Sequence, residues 1–344
     1  MIQQSNNAPY RDLPTTSLYL QDCLNTEGLC SDWENCRAGP FSFRFDDRLL
    51  IIRYATDAEV DLARTIRAEG GRVIYLIDDD LGAIVNDLQL PEDYRGRIEG
   101  FVSGLWQELK ELIDEVVVSS NALLEKMQCY EFEMVTQLDP LWSIPSDTIQ
   151  RPSNHQSPLK IAWLCSRSHI ADLESISAEL VDFFSRHQDV RLTVLFGKNR
   201  PTWIKRLHQV ENINPMSWNE YRSWVGSRQF DLALYPLLDS EVNQSRSINK
   251  FLEHAVVGAA SIISTNAPFA DRLQLGDCFF AQPGEWIDCL EMLMADRSRI
   301  LEMANQARRR ALIISEKAQI QQIEFWKKRL PLVKAGSSTS GVRV

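Results

Sequence analysis

The sequence predicts an α/β protein built from two successive doubly wound domains that face each other across a cleft. Three observations carry this. A chain of 344 residues is long enough for two cores at roughly 150 residues each. Short β-branched runs bounded by polar residues or Gly alternate with helical patterns over residues 41–136 and again over 159–330; strand, helix and strand in that order form βαβ units and a parallel sheet. Between the two series, residues 137–158 hold Pro140, Pro145, Pro152 and Pro158 among Ser, Asp and Asn, the composition of a domain linker.

Residues 1–40 are polar, Cys-dotted and weakly periodic, and read as an irregular N-terminal segment. Organisation starts with a strand at 49–55. The helix at 57–69 opens on carboxylates, spaces Val60, Ala63 and Ile66 at helical intervals and stops at Gly70-Gly71, with start and stop signals in the expected places. Strands at 72–77 and 115–119 follow, separated by a helix near 92–112. After the linker the strand candidates are 159–165, 190–197, 231–237 and 260–265, with helices at 170–186, 218–227 and 247–257. Residues 285–330 are nearly all helical in pattern, and the tail 331–344 has the composition of a disordered segment.

Composition bounds the function. Apolar types make up 44% and charged types 24%, as in globular proteins. No apolar run approaches the roughly 20 residues of a spanning helix, and the start lacks a basic-then-apolar signal pattern, so the expected compartment is the cytoplasm. The seven cysteines form no CxxC pair, which excludes a recognisable disulfide framework or zinc knuckle. Residues 1–150 carry 27 acidic and 12 basic side chains, a net of −15, and residues 151–344 carry 20 and 25, a net of +5. Such a split argues against nucleic-acid binding and leaves the second half able to hold an anion.

Ligands of doubly wound sheets bind beyond the carboxyl ends of the strands, which directs attention to three places. Asp78, Asp79 and Asp80 follow the strand 72–77; they fit an acidic capping loop, a metal-binding motif or an acceptor-side catalytic carboxylate, with Asp80 the candidate base. Ser166, Arg167, Ser168 and His169 follow the strand 159–165 and lead into a helix, where free N–H groups, hydroxyls and a guanidinium suit a phosphate. Ser168 also fits a plain N-cap, and His169 fits a structural role as well as a catalytic one. The third place is Asn243 to Glu253. On one continuous helix, Asn243, Arg246, Ser247, Lys250 and Glu253 share an arc of roughly 120°, with Ile248, Phe251, Leu252 and Ala255 opposite. Arg246 and Lys250 suit a diphosphate and Glu253 suits ribose hydroxyls; a solvated face has the same pattern.

Residues 214–308 carry a family resemblance, in NPMSWNEY, in FDLALYPLLDSEVNQSRSINKFLEHAVVGAASIISTNAPFADRL and in EWIDCLEMLMADRSRILEMANQAR. They resemble the GT4-like group of GT-B glycosyltransferases, also called glycosyltransferase family 1, of bacterial polysaccharide biosynthesis. LCSRSHIADLE resembles the loop that opens that group's C-terminal domain, and RVIYLIDDDL and LPEDYR resemble its N-terminal half. The resemblance implies a GT-B fold in which residues 41–136 form an acceptor domain, 159–330 a domain for a nucleoside-diphosphate sugar, and the last helix crosses back to the first domain. It implies retaining, metal-independent transfer to a glycan or lipid-linked acceptor, with no cofactor, the diphosphate being held by Ser166, Arg167, Asn243, Arg246, Ser247 and Lys250 and the ribose by Glu253.

Two departures stand out. The group often has two glutamates separated by seven residues; Glu253 matches the second, but Ser245 occupies the place of the first and Glu241 lies at the wrong spacing. This motivates an alternative, a catalytically inactive binding or assembly protein of a polysaccharide pathway. Cys165 stands where many relatives have Gly. Residues 308–334 hold eight basic side chains beside Ile320, Ile323, Phe325, Trp326 and Leu330, a pattern that fits peripheral contact with the inner face of the cell membrane as well as the crossing-back helix.

Overall fold

The computed structural model describes residues 13–26, 33–149 and 157–330. The expected tail 331–344 and part of the expected linker lie outside them. The first sheet contains β1 (Ser42–Phe45), β2 (Arg48–Ile52), β3 (Arg72–Ile77), β4 (Glu115–Val118) and β5 (Met134–Gln137) in that spatial order. Only the β1–β2 pair is antiparallel. Parallel strands that follow chain order are crossed on one face when the connections are right-handed, so the two faces need different covers. Leu49, Ile51, Val73, Tyr75, Ile77, Val116 and Val118 pack with Val60, Ile66, Ile98 and Leu123 from the crossover helices. The alternate residues Leu50, Ile52, Ile74, Leu76 and Val117 instead join Leu18, Tyr19, Leu20 and Trp326.

Part of that second cover corrects the expectation of an irregular N-terminus. Residues 14–26 are one helical run, Pro14–Thr16, Ser17–Gln21 and Asp22–Thr26, in which Leu20 and Cys23 are wholly buried. Leu18, Tyr19 and Leu20 are adjacent and all buried because the run is enclosed between the two domains. A helix covered on several sides shows no amphipathic period, which is why its pattern reads as irregular.

The second sheet contains β6 (Leu159–Trp163), β7 (Val190–Val194), β8 (Val210–Asn212), β9 (Leu232–Tyr235), β10 (Ala260–Ser264) and β11 (Phe279–Ala281), all parallel, in the order β11-β10-β9-β6-β7-β8. The order reverses between β6 and β9, the doubly wound topology whose switch point opens a crevice at the carboxyl ends of those two strands. The strands missed in the sequence, β1, β5, β8 and β11, have only three or four residues each and all lie at sheet edges; β5, β8 and β11 also bury too little surface to impose a pattern.

The helix Arg297–Arg329 has 33 residues, about 50 Å at 1.5 Å per residue. It starts under the second sheet, where Ile300, Ala304 and Ala307 are buried, and ends on the first. There Trp326 Nε1 donates to the Tyr19 carbonyl at 2.7 Å, and Arg329 Nε sits 2.6 and 2.7 Å from the two oxygens of Glu115. Phe325 and Trp326 are thereby buried in the core. Among the described residues no helix is long and apolar enough to cross a membrane. The described part of the linker is itself packed. Leu138 and Trp142 are buried, Trp142 Nε1 donates to Asn249 Oδ1 at 2.7 Å, and Arg272 grips Asp139 with bonds of 2.7 and 2.6 Å.

Candidate functional site

The carboxyl ends of the two sheets face one another. Asp79, just beyond β3, meets Arg246, beyond β9, at 2.6 Å. The second domain's side of this crevice is formed by the loop after β6, the segment after β9 and the helix that follows it. The helix expected over 247–257 is present as Asn249–Val256, but it does not extend back to Asn243, so the shared arc of 243–253 on one helix does not form. Glu241–Gln244 and Asn249–Val256 are separate helices; Ser240 caps the first by accepting from Asn243 N at 3.3 Å. Ile248, Phe251, Leu252 and Ala255 are fully buried, so the apolar side of the pattern does seat the second helix on the sheet.

Lys250 and Glu253, three residues apart on that helix, form a partly buried ion pair, and the Lys250 ammonium also donates to the carbonyl of Leu164 just beyond β6. Tyr221, from the helix Trp218–Gly226, donates its hydroxyl to the same glutamate. Glu253 is 1% exposed, a charge that is kept inside only by its partners. Burial pushes the Lys250 ammonium toward neutrality, but the adjacent Glu253 outweighs it and raises its pKa. Lys250 is therefore charged at neutral pH.

Opposite lies a second network. The Asp79 carboxylate is held between two guanidinium groups, Arg53 from the end of β2 and Arg246 from the other domain. Asp78 lies 3.1 Å from Arg53 Nη1 and accepts from Thr15 Oγ1 at 2.7 Å, so the N-terminal helical run closes this edge. Burial raises both carboxyl groups' pKa values, yet the net effects differ: Asp78 ends above the usual carboxylate value, while Arg53 and Arg246 pull Asp79 below it. Arg53 has φ +63°, a left-handed conformation uncommon for a non-glycine residue. Its carbonyl accepts from Tyr75 OH at 2.7 Å, and its side chain turns into the crevice rather than along the strand.

The remaining candidates divide into two groups. His169 is buried, with Nδ1 2.7 Å from Asp172. Asn243 donates from Nδ2 to the other Asp172 oxygen at 2.8 Å, and Ser247 Oγ accepts from Tyr19 OH at 3.4 Å. These three join the crevice. Ser166 is exposed and bonded to Ser168 Oγ at 2.7 Å, and Arg167 pairs with Asp93 of the first domain at the surface. Asp80 points elsewhere: it caps the helix Leu81–Asn86 by accepting from Ala83 N at 2.9 Å and binds Lys126 at 2.7 Å, beside a pocket of about 60 Å³ that Tyr75, Trp106 and Tyr130 also line. The three adjacent aspartates thus diverge: Asp78 and Asp79 share Arg53, while Asp80 turns to Lys126. Among the described residues no group of three or more His, Cys, Asp or Glu side chains is placed to hold a metal ion. Sequence reasoning missed Arg53, Tyr221 and Asp172; only Asp172, one helical turn beyond His169, carried a local signal.

No protein-family model matches the chain, and no curated protein sequence matches it. Solved structures do. HepE of Anabaena, in complex with UDP-glucose, is similar with a TM-score of 0.57 and 13% identity over 81% of this chain and 78% of that one. Sucrose-phosphate synthase of Thermosynechococcus elongatus matches at 0.52 and 10% over 79% and 71%. The UDP-forming α,α-trehalose-phosphate synthase of Burkholderia xenovorans matches at 0.50 and 13% over 83% and 73%. The fold is GT-B, two Rossmann-like domains with a long C-terminal helix returning to the first.

Proposed function

We propose that the protein is a glycosyltransferase that binds a nucleoside-diphosphate sugar at the carboxyl ends of β6 and β9 and transfers the sugar to a glycan or lipid-linked acceptor held by the first domain, with retention of configuration, in polysaccharide biosynthesis. The observation that carries this reading is the place of Arg246 and Lys250: two partly buried cations at the switch point of a doubly wound sheet, on a fold shared with a protein solved with UDP-glucose and with UDP. Departure of a diphosphate leaves negative charge that fixed cations stabilise without further reorganisation. Arg246 and Lys250 supply such charge from this chain's own residues, which is the basis for proposing metal-independent transfer. Asp79 now takes the Arg246 hydrogen bond that a phosphate oxygen would use, so donor binding exchanges one anion for another. Glu253 stands at the inner end of this group, beneath Lys250, as the ribose-side carboxylate.

Binding without turnover is a second reading, and Ser245 favours it. It is buried, with its hydroxyl turned back to the Val242 carbonyl at 2.8 Å, so that position offers the donor no carboxylate. The first test is a thermal-shift and calorimetric screen with UDP-, GDP- and dTDP-sugars, since a ligand bound to the native state raises its melting temperature. Arg246→Ala and Lys250→Ala are expected each to weaken donor binding by about 1.5 to 3 kcal/mol. Unchanged affinity in both removes the donor-site assignment; tight binding with no turnover on any glycan acceptor selects the second reading.

A further inference from the structure

His169 and Asp172 form a pair whose geometry goes beyond what a helix start requires. Asp172 is buried and all of its acceptor capacity toward the loops is used: Oδ2 faces His169 Nδ1 at 2.7 Å, while Oδ1 accepts from the Leu238 amide at 2.9 Å and from Asn243 Nδ2 at 2.8 Å. One carboxylate therefore ties the loop after β6 to the segment after β9, the two parts of the second domain's wall of the crevice. With Oδ1 already accepting from two N–H groups and an ionised carboxylate carrying no hydrogen of its own, the hydrogen between Oδ2 and the imidazole belongs to Nδ1. That leaves the lone pair on Nε2, which bonds to no described residue. The ring is further fixed against Tyr235, with centroids 6.0 Å apart. It lies within electrostatic reach of Asp79 across the crevice and of Arg246 and Lys250 beside it. Burial and then Arg246 push the imidazole pKa down, against the pull of Asp172, so the ring is neutral at pH 7.

We propose that Asp172 is a positioning residue that holds His169 as its Nδ1–H tautomer, so that Nε2 accepts a hydrogen bond from a hydroxyl of the sugar being transferred. The tautomer follows from the hydrogen bonds alone; the sugar contact rests on the transferase reading. The arrangement is that of a base and its orienter, in which the carboxylate selects the tautomer and the far nitrogen meets the substrate. Ordering by Asp172 also couples His169 to Leu238 and Asn243, so the imidazole and the segment carrying Arg246 keep a fixed spacing.

The test uses the full chain with 15N-labelled histidine, in which five imidazoles give separable signals and His169→Phe identifies the one of interest. In the wild type that signal is expected to show a protonated Nδ1 and an unprotonated Nε2; an Nε2–H tautomer overturns the proposal. Asp172→Asn, whose amide can offer an N–H to Nδ1, is expected to shift the ring toward the Nε2–H form. Calorimetry with UDP-glucose and UDP reads the sugar contact. Both His169→Phe and Asp172→Asn are expected to weaken UDP-glucose about tenfold, the value of one hydrogen bond of about 1.4 kcal/mol, and to leave UDP within about twofold. Equal losses for both ligands mean that Asp172 is only structural, and no loss for either means that Nε2 touches no sugar; each overturns the proposal. If Asp172→Asn does not fold, the wild-type tautomer and His169→Phe still decide. If the wild type binds neither UDP-glucose nor UDP, the sugar contact falls together with the UDP-sugar reading, while the tautomer still decides the role of Asp172.

Discussion

Asp78 and Asp79 are neighbours in sequence with the same side chain, yet the structure assigns their neutralisation unequal costs and opposite dependence on pH. Asp79 lies between Arg53 and Arg246, all three side chains being 12 to 15% exposed. With charge centres about 4 Å apart and an effective dielectric constant near 20, each contact amounts to about 4 kcal/mol. Removing one partner of a buried pair typically costs about 3 to 5 kcal/mol, because the other charge is left uncompensated. Asp79→Asn is therefore expected to lose about 3 to 5 kcal/mol at pH 7. Asp78→Asn keeps Arg53 paired with Asp79 and retains an acceptor for Thr15, so a loss of about 1 kcal/mol is expected.

The pH dependence separates the two further. Asp79 titrates below its ordinary value, so its contribution is present above about pH 4 and is lost as pH falls through the depressed folded value. Asp78 titrates above its ordinary value, so its ionisation instead costs stability as pH rises from about 4. Urea unfolding followed by tryptophan fluorescence at pH 7 and at about pH 2.5 measures both. The Asp79→Asn deficit is expected to shrink at the lower pH and the Asp78→Asn deficit to grow. A double-mutant cycle of Asp79→Asn with Arg246→Met should give a coupling of about 2 kcal/mol or more. Equal costs for the two aspartates, or a coupling within about 0.5 kcal/mol of zero, would refute the assignment of Asp79 as the shared counter-ion.

Three other outcomes follow from the same contacts. Asp79→Asn, although less stable, should bind UDP about tenfold more tightly by calorimetry, because Arg246 no longer has an internal anion in place of phosphate. Gly71→Ala should cost about 3 kcal/mol in urea unfolding, since the added Cβ would lie 2.3 Å from the Asp47 carbonyl oxygen and 2.8 Å from Ile66 Cγ2, and backbone cannot move aside cheaply. His254 is buried against Ser261 and its pKa is lowered to about 3. The unfolded chain takes up a proton near pH 6.5 that the folded one refuses, so stability falls with pH below that point; His254→Gln should remove a slope of about 1.4 kcal/mol per pH unit between pH 6 and 4, read from urea midpoints.

The alternation of short apolar runs with helical stretches determined two α/β domains without any coordinates, because buried parallel strands and amphipathic crossover helices leave patterns within ten or fifteen residues. The same local logic placed Ile248, Phe251, Leu252 and Ala255 against a sheet and Asn243, Arg246, Ser247 and Lys250 at its carboxyl end. Residues 14–26 escaped it because burial on several sides erases periodicity, and the edge strands escaped it because three or four residues are too few to set a period, β5, β8 and β11 burying little besides. Which partner each charge takes was beyond local pattern altogether. Arg246 finds Asp79 across 167 positions and Arg329 finds Glu115 across 214, and Asp80, beside Asp79, turns away to Lys126. Adjacent carboxylates look alike in sequence; the packing of two domains sets which one enters low dielectric beside a guanidinium, and that placement determines its charge and its chemistry.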